Sequence, residues 1–327
     1  MPEGYTHVRV ARKAADTAGL MKQIHPAAFC AGANGPDEFF CFEAWKPADK
    51  RTLDLPALGS RMHREKTGAF LMSLADHAST QAQKSYALGF ISHYITDCTV
   101  HPYVAMITQK GQLYDMPGGH GYFEIALDSE LHKKDYGTPA VSAAHSNPRL
   151  TGTALVQVAQ LLQVCLKEVY GVDVGLEALG DSFHHAHFLR ALFVSRLGIK
   201  KKLLEAAEPL FGGKGSLTGH VSPARLKGCR RSDKEQLPSV WRNPYTGQTC
   251  QITVAGLLHE STRRAVTCFL TCRSFWQGRT PRQELERLLG SRSYETGLED
   301  ADSRGENPAL NPEIYEKVVN KSVAGEE

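Results

Sequence analysis

Between Tyr86 and Asp128 the chain carries His93, Asp97 and His101, then His120 and Glu124, five metal-competent side chains in two sets spaced four residues apart. On an α-helix that spacing puts side chains on one face, so the first three form a ridge along YALGFISHYITDCTVHPYV and the last two repeat it in GGHGYFEIALDSEL. Pro102 is expected to close the first helix just past His101. A single His-x3-acid pair is a weak signal, since helices pair histidine with acids for capping or surface charge. Here the pairs lie among Leu88, Phe90, Ile91 and Ile95, and among Tyr122, Phe123, Ile125 and Leu127. Charged groups are rarely placed in such surroundings unless paired or metal-bound. Imidazole nitrogen and carboxylate oxygen, with no thiolate beside them, are the donors of a catalytic zinc site that keeps room for water.

The rest of the chain reads as mainly helical. Apolar residues recur at three or four over residues 5–19, 64–82, 84–101, 120–134, 150–170, 182–207 and 252–277, and convincing alternating strands are scarce. Gly/Pro/Asn clusters at 34–36, 117–119, 212–215 and 243–247 mark loops. The expectation is an all-α chain with one multi-helix, bundle-like domain over 1–278. A polar, acidic tail over 279–327 is expected to be largely disordered, apart from a short helix near 281–289.

Composition narrows the function more than the fold. A net charge of +3 does not announce nucleic acid or an anionic membrane as partner. No run approaches the roughly 18 apolar residues needed to cross a bilayer, and MPEGYTHVRVARKAADTAG lacks the apolar stretch of a secretory signal, so a cytoplasmic location is expected. The eight cysteines are scattered without a CxxC pair and read as buried thiols. HFLRALFVSRLGIKKKLLEAAEPLF interleaves leucines with Arg190, Arg196 and Lys200 to Lys202. It fits a peripheral contact with a phosphate-rich membrane surface, although the simpler reading packs its apolar face into the bundle. His184, His185, His187, His25 and His77 read as structural or surface residues, while Asn243 and Asp233 are candidates for the mouth of the site.

YALGFISHYITDCTVHPYV…GGHGYFEI resembles the core of the bacterial zinc-dependent phospholipase C family, which shares its fold with single-strand zinc nucleases. The likeness extends upstream, where YTHVRVARKA, GANGPDEFF and GSRMHREKTGAFL are similar to the segments supplying a histidine, an aspartate and a further histidine, here His7, Asp37 and His63. The resemblance implies two or three zinc ions. Asp37, His63, His93 and Asp97 would hold the first, and His101, His120 and Glu124 the second. His7, a bridging Asp97 and the N-terminal residue would hold the third. Six residues precede His7, beginning Met-Pro, so this third position is expected to be weaker or differently organised than in the secreted phospholipases.

No Ser-His-Asp elbow or Gly-rich phosphate loop appears, which argues against acyl-enzyme and nucleotide-kinase mechanisms. Zinc lowers the pKa of a bound water to about 7. The expected activity is therefore phospholipase C-like hydrolysis of a phosphodiester by metal hydroxide, with Asp37 as ligand and base and no obligate protein partner. Two alternatives stand beside it. One is a zinc nuclease that stacks bases on Phe39, Phe40, Phe42, Tyr103 or Tyr122. The other is a non-catalytic metal-binding module.

Overall fold

The computed structural model describes residues 4–299 except 212–214, 216, 231 and 234. Helix α1 (Gly4–Thr17) leads into α2 (Pro26–Ala33), which starts where Pro26 occupies the first turn and His25 Nδ1 accepts from the Ala28 amide at 3.3 Å. A 3-10 segment, Gly35–Cys41, separates it from α3 (Leu55–Met62) and α4 (Thr67–His77). The long α5 (Gln81–Ile107) opens on a reciprocal cap between Thr80 and Gln83. Then come α6 (Gly119–Tyr136), α7 (Ala143–Ser146), α8 (Gly152–Tyr170), α9 (Leu176–Leu192) and α10 (Ile199–Ala207). A small antiparallel hairpin, β1 (Val240–Arg242) and β2 (Thr249–Gln251), pairs Trp241 with Cys250 and precedes α11 (Val254–Trp276) and α12 (Arg282–Leu289). The fold is all-α, as the periodicity implies.

Helix α5 is the axis. Its apolar residues run all round rather than in one stripe, as a helix enclosed on every side requires, and α1, α2, α4, α8 and α11 pack about it. At its α2 crossing the two backbones touch: a Cβ at Gly32 would lie 2.1 Å from the Tyr86 carbonyl oxygen, and one at Gly89 2.2 Å from that of Phe29. The larger core includes Phe29, Phe70, Tyr86, Phe90 and Phe269, all buried. A second core gathers Tyr103, Tyr114, Phe123 and Trp241 about the C-terminal end of α5.

Three expectations need correction. Pro102 does not close α5, which continues to Ile107 with Pro102 inside it. An interior proline costs about 3 kcal/mol, but burying each of Tyr103, Val104, Met106 and Ile107 returns about 1.5–3 kcal/mol, so the helix goes on. The segment 182–207 is two helices, because the backbone leaves helical geometry after Leu192 to pair with Ser222: Ser195 N donates to Ser222 O at 2.7 Å and Ser222 N to Phe193 O at 2.9 Å. Nor is 279–299 disordered. The short helix near 281–289 is present as α12, and residues 290–299 continue onto α5, with Leu285, Leu289 and Tyr294 buried. The expected tail beyond 299 lies outside the described residues. All eight cysteines are free thiols, and among the described residues no helix is long and apolar enough to cross a membrane.

The α2–α5 crossing yields a test. Gly89→Ala should destabilise the protein by about 1–3 kcal/mol or more, because backbone atoms cannot yield as a flexible side chain does. Denaturant unfolding would measure it, and a change within about 0.5 kcal/mol, the range of ordinary surface substitutions, would contradict the crossing.

Candidate metal centre

Each of the eight predicted residues is delivered by a different piece of this scaffold or a different turn of one helix. His93, Asp97 and His101 lie along α5, His120 and Glu124 along α6, and His7 on α1. Asp37 comes from the 3-10 segment and His63 caps the end of α3. The structure brings all eight into one chain of imidazoles alternating with carboxylates. His63 Nε2 lies 3.0 Å from Asp37 Oδ1, and His93 Nε2 lies 3.5 Å from Asp37 Oδ2 and 3.0 Å from Asp97 Oδ2. Asp97 Oδ1 meets His7 Nε2 at 3.2 Å and His101 Nε2 at 3.7 Å. Glu124 Oε1 closes the series with His101 Nε2 at 3.4 Å and His120 Nε2 at 3.0 Å.

Two groupings stand out. His7, Asp37, His93 and Asp97 form a wholly buried set, while His101, His120 and Glu124 form a second set nearer solvent. The second matches the expected second ion. The first differs from expectation in containing His7, with His63 attached through Asp37. Asp97 reaches His93 with one oxygen and His7 and His101 with the other, the disposition a bridging carboxylate needs. The N-terminal donor expected beside His7 falls on residues outside those described.

The donor set fits a divalent cation on its own chemistry. His63 Nδ1 lies 2.7 Å from Gly59 O, His93 Nδ1 3.2 Å from Ala33 O, and His101 Nδ1 3.0 Å from Tyr294 O. A ring nitrogen facing a carbonyl must carry the proton, which leaves Nε2 of each neutral ring as a lone pair aimed at carboxylate oxygens that also only accept. His93 Nε2, Asp37 Oδ1, Asp97 Oδ2 and Glu124 Oε2 are buried without a hydrogen-bond partner. Lone pairs converging at about 3 Å need a proton or a metal ion between them. Without an ion the charges answer one another. Burial pushes the Asp97 carboxyl up, but His101, His93 and His7 outweigh it and hold it well below the usual carboxylate range. Burial lowers His101, yet Asp97 and Glu124 raise it to about 10.

Beyond these residues the structure supplies an outer layer. Gly35, at φ +57°, passes so close under His93 that a Cβ would lie 2.3 Å from its Cδ2, and so the 3-10 segment can set Asp37 against that ring. Asp128, one turn beyond Glu124, accepts from the Tyr5 amide at 2.9 Å and the Thr6 amide at 2.7 Å, fixing the start of α1 and hence His7. The i, i+4 rhythm of His120 and Glu124 continues to Asp128 and was the signal for it. Glu38, buried beside Asp37, is paired with Arg190 at 3.0 Å and bound by Asn147 at 3.2 Å. The 290–299 segment, a turn closed by a bridge between Arg292 and Glu299, ties two candidate ligands together: Tyr294 N donates to His63 O at 2.8 Å while Tyr294 O receives His101 Nδ1. No sequence signal marked that segment.

Solvent reaches the array through a cavity of about 290 Å³ lined by Asp37, His63, His101, His120 and Glu124, with Phe40, Tyr245 and Glu295 at its walls. Of the aromatic residues expected beside the site, Phe40 alone lines it; Phe39, Phe42 and Tyr103 are core residues, and Tyr122 lies beneath Lys201 and Lys227. Asn243 and Asp233 serve their own loops instead. Asn243 Oδ1 accepts from the Tyr245 amide at 2.9 Å, and Asp233 Oδ2 from the Gly228 amide at 2.9 Å. The other histidines are structural: His185 Nδ1 accepts from the Glu43 amide at 3.3 Å, His187 Nδ1 donates to Asn147 O at 2.7 Å, and His77 pairs with Glu168 at 2.8 Å.

A helical chain enclosing an imidazole–carboxylate array of this kind has the donor set of a metal-binding protein. The family model described as zinc dependent phospholipase C matches residues 6–164, a segment containing all eight residues, which places that segment with the zinc-dependent phospholipase C family. Searches of curated proteins and of solved structures found no match.

Two outcomes follow from the geometry. Asp97→Ala should lose the most metal of any of the eight alanine substitutions and His120→Ala the least, as read by elemental analysis of protein purified without chelator; the reverse order would refute the bridging role. Gly297 (φ +70°) lies so close to α5 that a Cβ would sit 2.4 Å from Cys98 O. Gly297→Val should displace the 290–299 segment and weaken zinc affinity by about 10–100-fold, the usual cost of disturbing groups that orient metal ligands. Competition with a chelating dye measures it, with circular dichroism confirming an unchanged helix content.

Proposed function

We propose that this protein is a zinc-dependent phosphodiester hydrolase that acts on phospholipids and releases the phosphorylated head group. The observation that carries this reading is the opening of the histidine–carboxylate array, through Asp37, His63, His101, His120 and Glu124, onto a cavity of about 290 Å³, within a segment that matches the zinc dependent phospholipase C family model. The buried set (His7, Asp37, His93, Asp97) with His63, and the outer set (His101, His120, Glu124), would hold the ions. When bound, zinc would supply water acidified to a pKa of about 7 and neutralise charge on the phosphoryl oxygens.

The chain's own residues supply the rest. Asp37 is buried and lines the cavity, so its carboxylate stands within reach of an attacking water and is the candidate to take its proton. The carbonyls of Gly59, Ala33 and Tyr294 hold three imidazoles in one tautomer, so the site pays little reorganisation when charge builds up on phosphorus. The outer set contributes only three side chains, which leaves coordination room facing the cavity for substrate. Phe40 and Tyr245 wall that space and limit the water beside the reacting group.

Hydrolysis of phosphatidylcholine should disappear on chelation and return with added zinc. Asp37→Asn should lower kcat by about 10²–10⁴-fold, the usual contribution of a positioned acid or base. Single-stranded DNA assayed in parallel is the decisive control: cleavage of it without release of a phosphorylated head group would replace the phospholipase reading with the nuclease one. Stoichiometric zinc with neither activity would leave a binding module.

A further inference from the structure

Helix α10 is inverted. Its sequence is that of an amphipathic helix, yet none of its residues is fully buried, and the group it turns inward is a lysine. Lys201 Nζ donates to the carbonyls of Val221 and Pro223, both at 3.3 Å, and lies 5.3 Å from the centre of the Tyr122 ring. Leu204 is half-buried on the same side, but the other large apolar side chains point outward. Leu203 is 66% exposed, Leu197 just before the helix is 86% exposed and Leu210 just after it is 82% exposed, with Ile199 beside them. On neighbouring α9, Phe188 and Leu192, four residues apart and so on one face, are about half exposed. The expectation that this segment hides its apolar face in the bundle holds for Leu189 and Phe193 and fails for the side chains from Leu197 to Leu210 that stand exposed.

Scattered exposed leucines are ordinary, but a helix that anchors its lysine and offers its leucines is not. Arg196, Lys200 and Lys202, all exposed, are interleaved with the outward leucines, against Glu205 of opposite sign. Apolar side chains set in a basic frame match a surface that is apolar beneath and anionic on top, which is the interface of a phospholipid bilayer. A cleft of about 530 Å³ lined by Arg196, Leu197, Ile199 and Lys200 opens beside them, so the basic side chains frame apolar space as well as apolar surface. The face also lies near the metal centre, because Tyr122, on which Lys201 rests, stands two residues from His120 on α6.

We propose that the face formed by Phe188, Leu192, Leu197, Ile199, Leu203 and Leu210, with Arg196, Lys200 and Lys202, docks the protein on an anionic phospholipid membrane. The choice of a lipid surface rests on the phospholipase reading above. Leu197, Leu203 and their neighbours enter the head-group and upper acyl region while the three basic side chains meet lipid phosphates. Docking needs neither an intact metal centre nor turnover.

The test is flotation of the zinc-loaded full-length protein with vesicles of phosphatidylcholine alone and of phosphatidylcholine with phosphatidylglycerol. The protein should float with both, more with the anionic vesicles, and that preference should vanish at about 1 M salt, where the Debye length is about 3 Å. Leu197→Glu with Leu203→Glu should cut flotation on the order of tenfold or more on both vesicles. Arg196→Glu, Lys200→Glu and Lys202→Glu together should remove only the anionic preference. Every variant should hydrolyse a short-chain, water-soluble phosphatidylcholine at the parent rate. Equal flotation of the leucine variant and the parent would overturn the proposal, as would a parent that floats with neither vesicle yet cleaves the soluble lipid. A parent dimer that the leucine substitutions convert to monomer, without vesicle binding, would make the face a self-association surface instead. Flotation without hydrolysis of any phospholipid would sink the phospholipase reading and leave the docking face standing.

Discussion

Carboxylates inside a helical protein need compensation, and that requirement organises this molecule. Asp37 and Asp97 are buried and Glu124 is nearly so, each with an oxygen lacking a hydrogen-bond partner. An unpaired buried charge costs several kcal/mol, enough to cancel much of a domain's stability of about 5–15 kcal/mol. Five imidazoles stand within reach, but three of them have their Nδ1 protons committed to backbone carbonyls and so face the acids with lone pairs. Protons can settle that conflict at the cost of charged imidazoles, as His101 does when Asp97 and Glu124 raise it to about 10. Divalent cations settle it without that cost. The array is thus poised for metal by the same hydrogen bonds that make it awkward without metal.

The scaffold around the array consists of close approaches rather than mobile loops. Gly32 and Gly89 let α2 lie against α5, which carries the chain directly into the Asp37 segment. Gly35 presses that segment beneath His93, and Asp128 pins the first turn of α1 so that His7 faces Asp97. His7 is the exception among the inner groups, for its Nδ1 is buried without a partner and no carbonyl fixes its ring. An imidazole so held would be oriented by a bound metal more than it would orient the metal.

The same economy governs the exterior. Lys201 holds α10 to the body by carbonyls and a ring face, and Leu197, Leu203 and Leu210 are left over. Where an amphipathic helix usually spends its apolar face on folding, this one keeps it for the surface.

The sequence by itself was enough for the helical class and for the ligand ridges, because both are local. A spacing of four residues on α5 and α6 decides which face His93, Asp97, His101, His120 and Glu124 share, whatever packs around them. His7, Asp37 and His63 could be named from the resemblance, since short motifs survive in sequence even where the contact is remote. What only the tertiary structure decided depends on contacts between distant segments. Pro102 stays inside α5 because residues after it are buried in a second core, and the 290–299 segment is ordered because its backbone pairs with His63 and His101. α10 turns its lysine inward because carbonyls at 221 and 223 wait there. Backbone hydrogen bonds of this kind carry no side-chain signature, and so polar composition alone misread 290–299 as part of a tail.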